Sequence, residues 1–293
     1  MPARTANLLP TSPTALSCAP AGTVRWLCRS ALRLFDSVPL RTLPPNVITA
    51  TAMAFGLSSV YQSLAVGDLQ LAAWFVLLSV LLDKLDGSVA RLLKGSSEFG
   101  VQFDSFSDAT AFGIAPAALI FAAARAFAPA QWGPAATVMG VSATAVLAAI
   151  CLSYAVMTAV RLAKFNVTTA AIGPALFLGL PSTLSGGLIC SAFLAVHEHG
   201  INVSQPWIFS AFPWLLLFNA ALMVCNLPLP KFKASSQPAL RAFQVACGLA
   251  VYVLVPLRLG FGVVLVLLLG YLAIGFAWLG PRLLRQSQQT GQS

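Results

Sequence analysis

Four aspartates lie within 26 residues of one another, in a chain of 293 residues that has only eight acidic residues. Asp83 and Asp86 are three residues apart, and Asp104 and Asp108 are four apart. Both pairs adjoin long apolar runs, where an ionised carboxylate is costly unless it has partners. We therefore expect the chemistry of this protein at the four aspartates.

The spacing of these residues predicts two facing helices. Side chains three and four positions apart lie on the same face of a helix. One helix face is then expected to carry Asp83, Asp86, Gly87 and Ala90, and a face of the next helix Gly100, Asp104 and Asp108. A short turn at about 94–98 joins the two helices, so antiparallel packing can bring all four carboxylates together.

Four converging carboxylates need more positive charge than Lys84 and Arg91 supply. Ligand sets made of oxygen alone suit Mg²⁺ or Mn²⁺, and two such cations would balance the four negative charges. Paired cations also bind phosphate during displacement reactions. The small residues of the two faces leave room for a ligand, and Arg91 is a bidentate partner for phosphate. The alternative for the small residues is close helix packing within a membrane.

The composition indicates an all-α integral membrane protein. Hydrophobic residues make up 58% of the chain and charged residues only 9%, with a mean hydropathy of +0.84, whereas soluble domains have about 25% charged residues. Apolar runs of about 20 residues predict transmembrane helices rather than barrel strands. We predict about eight spans, at 47–66, 69–92, 103–127, 135–160, 175–196, 208–224, 243–257 and 260–279.

The seventeen Lys and Arg residues predict the orientation. Fifteen of them fall on the side of the N-terminus, and only Arg125 and Arg258 fall on the other. Because cytoplasmic loops carry the excess of Lys and Arg, both termini and the aspartates are expected on the cytoplasmic side. The net charge of +9 then reflects topology and attraction to anionic headgroups. No nucleic-acid partner is expected, since that would need a soluble basic face with aromatic side chains.

The residues around the aspartates resemble the signature of the CDP-alcohol phosphatidyltransferase family. That signature, D-x2-D-G-x2-A-R-x8-G-x3-D-x3-D, has eight fixed positions, and this chain matches all of them. The family consists of membrane enzymes that displace CMP from a CDP-linked lipid with an alcohol. The resemblance implies that Asp83, Asp86, Asp104 and Asp108 bind two divalent cations, Mg²⁺ or Mn²⁺. It also implies that Asp108 is the general base.

The resemblance further implies ligand-binding roles outside the aspartates. The CDP lipid would be bound by Gly87, Ala90, Arg91 and Gly100, together with Asn46 and Thr49 of a P-N-x-I-T element before the first span. Segments at 161–166 (RLAKFN), 177–182 (FLGLPS) and 222–233 are similar to those of bacterial phosphatidylserine synthases. That similarity implies L-serine as the acceptor, with Arg161, Lys164 and Asn166 in its site. Serine brings a carboxylate, which needs a cation nearby.

Several alternatives remain open from the sequence. Arg161 and Lys164 could serve only as topology signals. The acceptor could be glycerol 3-phosphate, inositol phosphate or choline, and the donor could be CDP-archaeol. An ion transporter would also place aspartates in a membrane. It would need polar residues continuing to the far side, however, and the outer halves of spans two and three are apolar.

We predict five segments along the chain. They are a disordered cytoplasmic tail (1–22), an amphipathic interfacial helix (23–42), a catalytic domain with about six spans (43–235), two further spans (236–281) and a second disordered tail (282–293). The expected partners are CDP-diacylglycerol, a small alcohol, membrane lipids and a second copy of the chain in a homodimer. The expected location is the bacterial inner membrane.

Overall fold

The computed structural model describes residues 40–95, 97–172, 176–198, 200, 206–225, 228–230 and 238–273. The predicted tails at 1–22 and 282–293 lie outside these residues. The predicted interfacial helix lies outside them too, except for its last residues, which form the 3₁₀ turn Leu40–Thr42. Most of the described chain is helical, as expected for apolar segments that must satisfy their own backbone hydrogen bonds.

The helices follow one another with short connections. They are α1 (Leu43–Tyr61, extended by a π-helical turn Gln62–Val66), α2 (Leu69–Leu93), α3 (Glu98–Asp108), α4 (Ala115–Phe127), α5 (Pro129–Trp132), α6 (Ala143–Ile172), α7 (Ser182–Glu198), α8 (Pro206–Val224), α9 (Pro238–Leu254) and α10 (Phe261–Ala273). A π-helical segment, Ala109–Ile114, joins α3 to α4 without a break. The described strands form two antiparallel pairs, β1 (Thr137–Val138) with β2 (Val141–Ser142) and β3 (Leu176–Leu178) with β4 (Pro228–Pro230).

The bundle is built around α2, which packs along α1 on one side and α7 on another. The α3 helix and the π segment pack against α1, and α6 packs against α8. Fully buried side chains from these helices form a common core, for example Val76, Leu119, Tyr154, Phe193 and Leu216. The C-terminal end of α2 and the α3 helix are therefore held by several neighbours, and they carry the four aspartates.

The turn between α2 and α3 is confirmed where the sequence predicts it. Lys94 ends α2 in the left-handed conformation, with φ of 50°, and the Gly95 N–H donates to the carbonyl of Ala90 at 3.0 Å. Ser97 begins α3, because its Oγ accepts a hydrogen bond from the Gly100 N–H at 3.0 Å. Both caps satisfy backbone groups that a helix end leaves open, so a short, capped turn joins the two helices.

Four helical stretches in the described part are long and apolar enough to cross a membrane. They are Leu43–Val66, Glu98–Phe127, Ala143–Val167 and Trp207–Val224. The α2 helix has 25 residues, but its C-terminal half contains Asp83, Lys84 and Asp86. The α7 helix has only 17 residues. The chain is thus a mainly helical protein with candidate membrane spans, and the total of eight spans stays a prediction.

Two predicted spans begin later in the structure than in the sequence analysis. The span placed at 135–160 begins at Ala143, because the β1–β2 hairpin precedes it; Met139 and Gly140 form its turn with φ of 50° and 79°. The span placed at 175–196 begins at Ser182, because the preceding residues form β3, which pairs with β4. Gly179, with φ of 77°, lies between β3 and α7. Apolar composition alone did not separate these short strands from the helices that follow.

Candidate active site

Three of the four predicted metal ligands converge. Asp83 on α2 and Asp104 and Asp108 on α3 each place a carboxylate oxygen within 4.8 Å of the other two. Asp108 is buried, at 8% exposure. We call this group the aspartate trio. The short turn between α2 and α3 keeps Asp83 near Asp104 and Asp108, which the helical spacing places on one face of α3.

Asp86 faces α1 instead. At about 100° per residue, a side chain three positions along a helix lies about 60° around the axis, so Asp86 is turned away from Asp83. It is 5% exposed, and its Oδ2 accepts a hydrogen bond from Thr49 Oγ1 at 2.7 Å. Ser107 Oγ donates to the Thr49 carbonyl at 3.2 Å. Thr49 therefore holds α1 against both aspartate-bearing helices.

A pocket of about 120 Å³ lies between α1, α2 and α3. Its lining includes Asn46, Thr49, Gly87, Ala90 and Gly100, which are five of the six residues predicted to bind the CDP lipid, as well as Asp86 and Asp104. The sixth, Arg91, is exposed and donates through Nη2 to Ser88 Oγ at 3.3 Å. Its Nη1 lies 3.6 Å from the position that a Cβ on Gly87 would take, so Arg91 is beside this pocket. Asp104 belongs to both the pocket and the aspartate trio.

The first turn of α7 contacts the trio from another side. Thr183 Oγ1 donates to Asp83 Oδ2 at 3.3 Å, and Ser182 Oγ donates to Asp108 Oδ2 at 3.5 Å. Arg161 on α6 donates through Nη1 to Ser182 Oγ at 2.8 Å. A helix N-terminus carries partial positive charge, so the start of α7 and the guanidinium both favour the carboxylates they face.

Three residues are predicted to bind the acceptor alcohol, and these contacts connect one of them, Arg161, to the trio. It is only 6% exposed, and its guanidinium carbon lies 5.4 Å from the centre of the Phe165 ring. Within the described part of the chain its Nε has no hydrogen-bond partner. A buried guanidinium with a donor still open is suited to bind an anionic group of a substrate.

The other two predicted acceptor residues lie farther along α6. Lys164 Nζ donates to the Val224 carbonyl at 3.3 Å, at the C-terminal end of α8, where a cation is favourable. Asn166 Nδ2 donates to Ser105 Oγ at 2.9 Å, and Ser105 follows Asp104 on α3. Their described contacts hold α6 against α8 and α3.

The charges at this site fit divalent cations. Lys84 Nζ lies 3.2 Å from Asp83 Oδ2, although its side chain is 65% exposed. Together with Arg161 it supplies two positive charges beside four carboxylates. The trio offers oxygen ligands only, on two rigid helices, and Mg²⁺ and Mn²⁺ prefer such donors. The residues present therefore agree with the divalent cations that the family resemblance implies.

Ser182 and Thr183 are site residues to which the sequence analysis gave no role. They lie 74 and 100 residues from the aspartates that they contact, so helical periodicity could not connect them. One local signal was present. A Pro followed by Ser and Thr before an apolar run is typical of a helix start, and these residues begin a helix whose polar first turn needs a partner.

Comparison with known proteins identifies relatives over most of the chain. A family model described as CDP-alcohol phosphatidyltransferase matches residues 42–277. The CDP-diacylglycerol–serine O-phosphatidyltransferase of Helicobacter pylori is 30% identical over 190 residues, which are 64% of this chain and 72% of that protein. The protein of that name from Mycobacterium tuberculosis is 26% identical over 252 residues, 83% and 80% of the two chains. The one from Bacillus subtilis is 27% identical over 194 residues, 64% and 90%.

Proposed function

Because the chain belongs to the CDP-alcohol phosphatidyltransferase family, we propose that it transfers the phosphatidyl group of CDP-diacylglycerol to L-serine. The products are phosphatidylserine and CMP. One observation is the main support for this proposal. Asp104 lines the pocket of the predicted CDP-binding residues and also belongs to the aspartate trio. A diphosphate in the pocket would then lie beside the carboxylates. The names of the relatives support serine as the acceptor.

In the proposed reaction the serine hydroxyl attacks the phosphorus of the lipid phosphate. A new P–O bond forms to serine, the P–O bond to CMP breaks, and Asp108 takes the proton of the hydroxyl. Ser182 holds Asp108 by donating to its Oδ2 at 3.5 Å. Two divalent cations, Mg²⁺ or Mn²⁺, when bound by the four aspartates, supply positive charge for the diphosphate and the leaving CMP.

The pocket between α1, α2 and α3 is proposed to bind the CDP part of the donor. Asp86, held by Thr49, and the neighbouring Asn46 line this pocket, and Arg91 beside it offers a planar cation to phosphate. The small side chains at Gly87, Ala90 and Gly100 leave space in the pocket, so that a ligand can approach the backbone closely.

A methyl group at residue 100 is expected to weaken donor binding. A Cβ there would lie 3.1 Å from Ser97 Oγ and 3.2 Å from Asn46 Oδ1, so Asn46 must move. We expect Gly100→Ala to raise the KM for CDP-diacylglycerol about tenfold, because overpacking of this kind costs about 1–3 kcal/mol. The matched control is Gly248→Ala on α9, where nothing lies within 4 Å of the new Cβ. An unchanged KM in Gly100→Ala would contradict the assignment of the pocket.

The acceptor is proposed to bind between α6, α7 and the trio. The Arg161 Nε, which has no hydrogen-bond partner among the described residues, offers the serine carboxylate a charged donor. Ser182 links Arg161 to Asp108 through two hydrogen bonds. Lys164 and Asn166 are proposed to complete the acceptor site. Their described contacts with α8 and α3 support a role in keeping α6 in place.

Arg161→Lys is expected to affect serine more than the CDP lipid. Lysine keeps the charge but loses the planar bidentate donor set, so we expect the KM for serine to rise about 10- to 100-fold. Steady-state kinetics with each substrate varied in turn would measure this. Arg125→Lys is the matched control, since Arg125 also lies over a phenylalanine, 5.5 Å from the Phe121 ring centre, but on α4. A rise in the KM for CDP-diacylglycerol alone would contradict the assigned role of Arg161.

The proposed membrane arrangement is an eight-span bundle with both termini and the active site in the cytoplasm of a bacterium, in its inner membrane. In support, Arg91, Arg161 and Lys164 lie in the C-terminal halves of α2 and α6, on the side of the site, and the strong bias of Lys and Arg favours that side as cytoplasmic. Exposed apolar side chains on α6, such as Leu152 and Val156, would face lipid. The amphipathic helix predicted at 23–42 is proposed to lie in the cytoplasmic interface.

The proposed catalytic domain is 43–235, followed by the two further spans at 236–281 and flanked by the disordered tails. The α9 helix contacts α2, since Tyr252 Oη donates to the Leu81 carbonyl at 3.0 Å and Trp74 Nε1 donates to the Val255 carbonyl at 2.6 Å. The family match, which reaches residue 277, includes α9 and α10. A homodimer within membrane lipids is proposed on the family resemblance.

A panel of acceptors tests the proposed substrate. Purified protein in detergent with CDP-diacylglycerol is given serine, glycerol 3-phosphate, inositol phosphate or choline in parallel, and the lipid product is identified by mass spectrometry. A second series replaces the donor with CDP-archaeol. We expect phosphatidylserine to be the main product and the diacyl donor to be preferred. Preferential use of another alcohol would overturn serine as the acceptor while leaving the family chemistry in place.

A further inference from the structure

The π-helical segment Ala109–Ile114 begins at the residue after Asp108. The Ala115 N–H donates to the carbonyl of Thr110, five residues earlier, which is the hydrogen bond of a π-helix. Such a turn holds about one residue more than an α-helical turn, so it offsets the helix faces before and after it by about 100°. The segment therefore sets the angle at which α3 presents Asp104 and Asp108 relative to the buried face of α4.

Tyr154 of α6 binds this segment directly. Its hydroxyl donates to the Phe112 carbonyl at 3.0 Å and lies 3.1 Å from Ser185 Oγ on α7. Ser185 Oγ in turn donates to Asn219 Oδ1 on α8 at 3.2 Å. Tyr154 and Ser185 are fully buried, where an unmade hydrogen bond is costly. One hydroxyl thus links the π segment to three helices.

Glycines let the same segment pack closely against its other neighbours. A Cβ on Gly56 of α1 would lie 2.8 Å from Ala111 Cα, and one on Gly186 of α7 would lie 3.3 Å from Phe112 Cα. On the segment itself, a Cβ on Gly113 would lie 3.1 Å from Thr158 Cβ on α6. The π segment is therefore enclosed on three sides by α1, α6 and α7, and the Tyr154 hydroxyl fixes its carbonyl geometry.

We propose that Tyr154 is a positioning residue, which through the π segment holds Asp104 and Asp108 at the angle required to face Asp83. The described hydrogen bonds of its hydroxyl are to Phe112 and Ser185, not to the carboxylates. The proposal rests on the proposed function for its catalytic consequence. Without the hydroxyl, the segment can relax towards regular α-helix, and the two aspartates then rotate away from Asp83 together.

The test compares Tyr154→Phe with Ser191→Ala, which removes a buried hydroxyl of α7. Among the described residues, that hydroxyl donates within its own helix, to the Leu188 carbonyl. Thermal unfolding of the purified protein is recorded over a Mn²⁺ titration, without substrates. We expect the Mn²⁺ concentration at half-maximal stabilisation to rise about tenfold in Tyr154→Phe, since residues that orient metal ligands typically contribute 10- to 100-fold to affinity. In Ser191→Ala this concentration should stay at the wild-type value.

Kinetics separate the proposal from a general loss of stability. At saturating Mn²⁺, Tyr154→Phe should lower kcat and raise the KM for CDP-diacylglycerol, because Gly100 and Asp104 of the displaced helix line the donor pocket. A general loss of stability would lower the active fraction and leave this KM unchanged. A folded Tyr154→Phe with the wild-type Mn²⁺ response would overturn the proposal. If Tyr154→Phe does not fold, Ser185→Ala takes its place. The Mn²⁺ concentration at half-maximal stabilisation should then rise in Ser185→Ala, and an unchanged concentration would overturn the proposal. A wild type that binds Mn²⁺ but transfers no phosphatidyl group would overturn the proposed function alone.

Discussion

Asp108→Asn is expected to lower kcat about 1000-fold, as removal of a general base typically costs 100- to 10,000-fold. Asparagine has nearly the same size and can still accept from Ser182, which lies 3.5 Å from the Asp108 carboxylate. It cannot take the proton of the serine hydroxyl. Since Asp108 is not among the residues lining the CDP pocket, the KM for CDP-diacylglycerol should change little.

The matched control for this variant is Asp68→Asn. Asp68 is exposed and lies at the opposite end of α2, where its Oδ1 accepts a hydrogen bond from the Leu71 N–H at 2.9 Å. Because Asn also caps helices well, we expect wild-type kcat. Radiolabelled serine incorporation measures both variants. Substantial activity in Asp108→Asn would remove the general-base role from this residue.

Asp104→Asn is expected to lower kcat/KM for CDP-diacylglycerol about 100- to 1000-fold, because it removes one charge from groups that bind both cations and diphosphate. The kinetic effect of Asp104→Asn should differ from that of Asp108→Asn. Asp104 lines the pocket as well as belonging to the trio, so kcat should fall and the KM for the donor should rise together.

Glu98→Gln is the control on the same helix. Glu98 is the exposed first residue of α3 and belongs to neither the pocket lining nor the trio. Its replacement by glutamine should therefore leave kcat and the KM for CDP-diacylglycerol unchanged. The comparison is made by varying CDP-diacylglycerol at saturating serine and Mn²⁺. If Asp104→Asn changed kcat alone, Asp104 would not join the donor pocket to the reaction centre.

The local part of the site could be predicted from the sequence. Spacings of three and four residues determine which side chains share a helix face, and the Lys94–Gly95 turn is short enough to keep the aspartates of α2 and α3 close. Those two facts place Asp83 near Asp104 and Asp108. The same spacing did not reveal that Asp86 would turn towards Thr49, because its partner lies 37 residues away.

The remaining features depend on contacts between distant segments. Ser182 and Thr183 reach the aspartates only because α7 packs on α2. The π segment has no sequence signature of its own; it is held by Tyr154 and by glycines on α1 and α7. The β1–β2 turn was missed for a different reason, since Met139 occupies a left-handed position where Asn or Gly is the usual signal.

We propose a direct, cation-dependent transfer of the phosphatidyl group at the four aspartates. The most direct measurement follows labelled serine and CMP together, using purified wild-type protein with CDP-diacylglycerol, first with Mn²⁺ or Mg²⁺, then with EDTA, then with the cation restored. We predict phosphatidylserine and CMP in equal amounts, no product in EDTA, and recovery when the cation returns. Phosphatidylserine formation that continued in EDTA, or CMP released without a serine lipid, would contradict a cation-dependent transfer to serine.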